Sequence, residues 1–277
     1  MAIKPEDYKE PRCVLCEEPY GKVPEVKSVP QHRIIEKMDE YMSRRDYSGA
    51  ERHLLYWLQE AKLGHDKRGQ LMIRNELVGH YRKVGDKEKA FENAEAALAL
   101  VEEMDFHGTI SSGTTYINIA TAYNAFGENE AAIGLFEKAK EIYEAAPGTQ
   151  PQLLGGLYNN MALTYVALNN FAAADPLYAK ALIQMGQVPN GQLEQAITYL
   201  NMANRVENEM GLEEGESEIN DLLDKAYELL DDSTVDRNGY YAFVCEKCAP
   251  TFSYYGLFLA AEELNRRAET IYGGGTI

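Results

Sequence analysis

The five-residue phrase Tyr-x-Asn-[Ile/Met]-Ala recurs three times, at Tyr116–Ala120, Tyr158–Ala162 and Tyr199–Ala203, with spacings of 42 and 41 residues. A fixed period of that length means one supersecondary unit per period, each stacked on the next. Around the first copy, Tyr116, Ile119, Ala120, Tyr123, Gly127, Ala132, Phe136 and Ala139 run large, large, small, aromatic, turn glycine, small, aromatic, small. That order describes two short antiparallel helices. Small residues stand where the helices approach closely, and large ones fill the seam.

The same signature extends both ways along the chain. Upstream it reads Ile34, Tyr41, Arg45 at the turn and Ala50, with Trp57 where a small residue is usual, then Leu77, Tyr81, Gly85, Ala90, Ala94 and Ala97. Downstream it reads Tyr158, Met161, Ala162, Tyr165, Asn169, Ala174, Tyr178 and Ala181, then Tyr199, Met202, Ala203, Val206 and Ala226. A last copy has Cys245, Cys248, Ala249, Phe252, Gly256, Ala261 and Ala268. Asn at a turn, like Gly, tolerates a left-handed backbone. In the fifth copy the acidic run GLEEGESE (211–218) is expected to lengthen the turn between its helices.

These positions resemble the tetratricopeptide repeat. The resemblance implies an all-α TPR solenoid, a right-handed superhelix of about six helix-turn-helix repeats whose first helices line a concave groove. The family period is about 34 residues, whereas turn positions 85, 127 and 169 stand 42 apart. The excess lengthens the helices or the connections, which carry Gly108, Gly113, Pro147-Gly148, Pro151 and Pro189-Asn190-Gly191. Since no repeat buries its apolar face alone, stacking is expected to make one continuous core. The reading divides the chain into a proline-rich arm (1–30), the solenoid (31–272) and a short tail (273–277). Pro5, Pro11, Pro19, Pro24 and Pro30 exclude a continuous helix from the arm. Its extended composition suits it to lie in the groove of the free protein.

Composition narrows the partners. The formal net charge is −17, which opposes binding to nucleic-acid phosphates or to an anionic membrane surface. No signal-peptide core opens the chain and no run reaches the roughly 20 apolar residues of a membrane span, so a cytoplasmic address is expected. His32, His53, His65, His80 and His107 lack metal-ligand spacing, and no phosphate-binding, esterase or zincin motif is present. A non-catalytic protein, without cofactor, follows from this reading.

The echo leaves its asparagines unexplained by helix propensity. Asn118, Asn160 and Asn201, with Asn75 one position earlier in its repeat, would form a ladder along the groove, where a carboxamide matches the amides of an extended backbone. This resembles the 42-residue repeats of kinesin light chains and bacterial peptide sensors, in which first-helix asparagines grip peptide backbones. Asn204, Glu207 and Tyr254 are expected as further lining. The alternative role for the same asparagines is to bond neighbouring helices and tighten the stack. A sensor of a short signalling peptide, working through a separate effector, is the alternative function. The chaperone-type clamp for a C-terminal carboxylate is excluded, because Ile35, Asp39, Asn75, Glu76, Thr114 and Asn118 include no basic residue. Cys13-x-x-Cys16 and Cys245-x-x-Cys248 supply the four thiols of a structural zinc site. The second pair, however, falls at core positions of a helix. Pro250 is expected to kink that helix, or to shape the last repeat as a cap.

Overall fold

The computed structural model describes residues 25–275, and the arm expected over 1–30 lies mostly outside them. Among the described residues there are twelve α-helices and no strand. They pair as hairpins: α1 (Gln31–Ser43) with α2 (Tyr47–Leu63), α3 (Lys67–Val84) with α4 (Lys87–Glu103), and α5 (Ile110–Ala125) with α6 (Asn129–Ala145). The remaining pairs are α7 (Pro151–Ala167) with α8 (Phe171–Met185), α9 (Gln192–Met210) with α10 (Leu212–Asp231), and α11 (Gly239–Tyr254) with α12 (Phe258–Tyr272). The six hairpins stack in chain order as a solenoid.

Each hairpin turn pivots on one left-handed residue. Arg45, Gly85, Gly127, Asn169, Gly211 and Gly256 have φ of 55°, 78°, 83°, 55°, 82° and 84°. Asp46, Asp86 and Asn170 then cap the returning helix by accepting from a backbone N–H three residues on. Close approach follows from the small residues: Ala90, Ala94, Ala97, Ala120, Ala132, Ala139, Ala162, Ala174, Ala181, Ala203 and Ala226 have no solvent exposure. The large partners Phe136, Ile119, Met161 and Tyr178 are equally buried.

Lysines add a contact that recurs with the echo. Lys138 lies 5.8 Å from the Tyr116 ring centroid, Lys180 5.1 Å from Tyr158, and Lys225 5.9 Å from Tyr199. Each pair joins the two helices of one hairpin, and a cation over an aromatic face is worth about 0.5–1 kcal/mol at exposed sites. Sequence reading missed this. The signal was a Lys immediately before the close-approach residues Ala139, Ala181 and Ala226.

Two expectations are corrected. GLEEGESE does not lengthen a turn: α9 ends at Met210, Gly211 alone makes the corner, and α10 starts at Leu212. Glu213 and Glu214 suit the positive end of the helix. Gly215 lets Val206 approach so closely that a Cβ there would stand 2.8 Å from Val206 Cγ1. Gly113 is likewise no breaker, for it lies inside α5, facing the buried Tyr143 ring. The core runs through the stack as three apolar clusters in chain order, joined by half-buried side chains such as Phe91 against Tyr123, 4.6 Å between ring centroids. α3 belongs to two of them, with Ile73, Leu77 and Tyr81 facing the first hairpin and Leu71 and Val78 facing the third. Met202 of α9 touches the second and third clusters at their boundary. Polar pairs sit along these divisions, Arg74 with Asn93 and Asn201 with Asn159.

One side-chain contact spans from the first hairpin to the last. Arg45 Nη2, at the first hairpin turn, stands 2.5 Å from Glu246 Oε1 on α11, and the Tyr272 hydroxyl donates to the other oxygen of Glu246 at 3.4 Å. Helix α11 continues through Pro250, leaving the Glu246 carbonyl without its i+4 donor.

The packing at helix glycines gives a paired prediction. A Cβ at Gly113 would lie 2.5 Å from Tyr143 Cε1, whereas one at Gly134 on α6 meets nothing within 4 Å. Gly113→Ala is expected to lose about 1–3 kcal/mol by overpacking. Gly134→Ala is expected to gain up to about 1 kcal/mol from reduced chain entropy. Urea unfolding of both variants beside the wild type measures the two signs.

Candidate functional site

Successive first helices pack against one another, α3 on α5, α5 on α7, α7 on α9 and α9 on α11. The second helices have no comparable run of mutual packing among the described residues. The first-helix face is therefore the shorter, inner one.

A cavity of about 710 Å³ opens on this face near the start of the solenoid. Arg68, Met72, Asn75 and Glu76 wall it from α3, while Ser111, Thr114 and Asn118 wall it from α5. Gln31 of α1 and Phe106 of the α4–α5 connection complete the rim. On both helices the lining residues recur at three- and four-residue steps, so each set occupies one stripe. At the mouth, the exposed Arg68 guanidinium lies 5.1 Å from the Phe106 ring centroid.

The expected ladder divides into two kinds of asparagine. Asn75 Nδ2 donates to Thr115 Oγ1 at 2.9 Å, and that hydroxyl donates onward to the Ser111 carbonyl at 3.1 Å. Asn201 Nδ2 donates to Asn159 Oδ1 at 3.1 Å. These two carboxamides link adjacent first helices. Asn118 and Asn160, half-buried, make no side-chain hydrogen bond to any described residue, and neither carboxamide is sealed from solvent. Asn75 has a further property: its Oδ1 is buried without a donor.

The remaining expected lining lies elsewhere. Glu207 accepts from the hydroxyls of Tyr254 and Tyr255, at 2.5 and 2.7 Å. Tyr254 borders a separate cavity of about 430 Å³ with Leu212, Glu213, Glu216 and Asn220 of α10. Asn204 is exposed, and its backbone carbonyl accepts from Asn208. The structure thus brings Asn75 and Asn118 into one cavity, and places Tyr254 at another, with Glu207 bonded to its hydroxyl. Glu76 was singled out in the sequence only as a departure from the carboxylate clamp. It is half-buried, and burial together with the Asp39 charge pushes its carboxyl above the usual range.

Cys245 and Cys248 are buried on α11 and belong to the third apolar cluster. Burial raises both thiols, that of Cys248 to about 12. No cluster of three or more potential metal ligands occurs among the described residues, and Cys13 and Cys16 lie outside them. No described helix is long and apolar enough to cross a membrane.

Comparison with known families matches residues 69–145 and 111–183 to the tetratricopeptide repeat. No curated protein matches the chain. Among solved structures, a kinesin light chain protein of Podosopora anserina with nearly identical TPR-like repeats is similar at 17% identity and TM-score 0.50, covering 74% of this chain and 96% of that one. A single-substitution variant of it gives 19% identity, TM-score 0.49 and coverage of 76% and 97%. BtubC (BKLC) from P. vanneervenii is 18% identical with TM-score 0.46, covering 89% of this chain and 92% of its own.

Two outcomes are expected from this geometry. Asn201→Ala removes an interhelical bond and leaves Asn159 unpaired, so it should cost about 0.5–1.5 kcal/mol. Asn160→Ala should leave stability within about 0.5 kcal/mol of wild type; thermal and urea unfolding of the pair distinguish the roles. In a Cys13→Ser/Cys16→Ser background, Ellman's reagent should label the native protein slowly, and should label Cys245 and Cys248 on denaturation.

Proposed function

The chain is a tetratricopeptide-repeat protein, and from that premise we propose that it is a non-catalytic scaffold binding an extended segment of another protein along its inner face. The observation that supports this most is the pair of uncommitted carboxamides, Asn118 and Asn160, at equivalent positions of neighbouring first helices. A side chain that bonds neither its own helix nor the next keeps its donors and acceptor for something else. An extended peptide backbone presents complementary groups at a regular spacing. Asn75 and Asn201 hold the helices that carry this pair in register.

The acidic balance of the chain favours basic or weakly charged partners. A cytoplasmic setting fits a chain of this composition.

The test is a double substitution that spares stability. Asn118→Ala/Asn160→Ala should unfold within about 0.5 kcal/mol of wild type, yet lose about tenfold or more in affinity for peptides selected by the wild-type protein. Fluorescence titration reads the affinities. Equal binding by an equally stable variant would refute the inner-face reading.

A further inference from the structure

The cavity between α3 and α5 holds a carboxylate without a paired cation. Glu76 forms no ion pair or hydrogen bond with any described residue, and the nearby charge it senses is the carboxylate of Asp39 on α1. Asn75 Oδ1, one residue before it, is sealed from water and so is not reached from the cavity. A half-buried carboxylate is costly to leave unpaired. The cations at hand are committed or peripheral. Arg74 donates to Asn93, and Arg68 sits exposed at the mouth against Phe106. The inner wall therefore presents an unpaired carboxylate to a space of about 710 Å³.

We propose that this cavity receives a lysine or arginine side chain of the bound segment, its charged head held by Glu76. The proposal rests on the inner-face reading and adds its chemistry at one end of the groove. Met72 and Leu71 offer apolar surface to the aliphatic stem of the incoming residue. Phe106 offers a ring near the mouth, and Asn118 and Thr114 stand opposite, placed for the backbone that carries the side chain. Cation binding would also relieve the carboxylate repulsion between Glu76 and Asp39. An anionic side chain would meet the Glu76 carboxylate and be disfavoured. The selectivity is thus for charge sign rather than for size.

A random peptide library displayed on phage, selected on the full-length protein, tests this. The enriched peptides should share a Lys or Arg at one position. Replacing that residue by Gln should weaken binding about tenfold to wild type, and much less to Glu76→Gln, the signature of a direct pair in a double-mutant cycle. Asp39→Asn, with its charge further from the head group, should reduce the discrimination only partly. Asn118→Ala should weaken all peptides without altering the preference for a basic residue. Enriched peptides with no recurring basic position would overturn the subsite while leaving the groove reading intact. No enrichment above background would overturn both. Size-exclusion chromatography run beside the selection covers the remaining occupant. Self-association abolished by Glu76→Gln would put a second copy of the chain in the cavity and overturn the assignment to a partner.

Discussion

Close approach of paired helices is the interaction on which this molecule depends. A hairpin of about 35 residues cannot enclose an apolar core, so its helices must first seat tightly on each other and then on the next hairpin. Alanine at the crossing points permits the first step, since it adds packing without separating the backbones. The left-handed corner residue permits it too, by reversing the chain in one to three residues. The large residues of each first helix then reach the neighbouring hairpin. The lysine over each echo tyrosine secures the outer edge of the same seam.

From that seam follows the inner face. Drawing the first helices together shortens one side of the stack and leaves polar positions at three- and four-residue intervals facing inward. Some of these positions are used by the stack itself, as Asn75 and Asn201 are. Others are surplus to it. Physical chemistry separates the two kinds: a carboxamide bonded across the interface is structural, and one open to water is available.

Most of the architecture was legible because it is written in short-range terms. Hairpin turns at 45, 85, 127, 169 and 256 are single residues whose backbone demands are read directly from Gly, Asn and spacing. Gly211 misled because the acidic residues after it read as a solvated loop, while their charge favours a helix start. Gly113 misled for the opposite reason: its absent side chain makes room for Tyr143, a contact 30 residues distant in sequence that no local rule reveals. The asparagine ladder was visible as a pattern but not as a function. Whether Asn160 or Asn159 meets Asn201 depends on the rotation of α7 about its axis, which packing decides. Glu76 stood out in the sequence only as a misfit, and its isolation from cations needed three dimensions.

One contact reaches beyond packing. Arg45 and Glu246 place one exposed ion pair between the first hairpin turn and the last hairpin, elements with no comparable helix packing between them among the described residues. The Arg45 side chain is 72% exposed, and an ion pair in such surroundings contributes about 0–1 kcal/mol and weakens with salt. The contact is therefore slight in energy, and the spacing of the two ends is set by the stacking of the hairpins between them rather than by this pair.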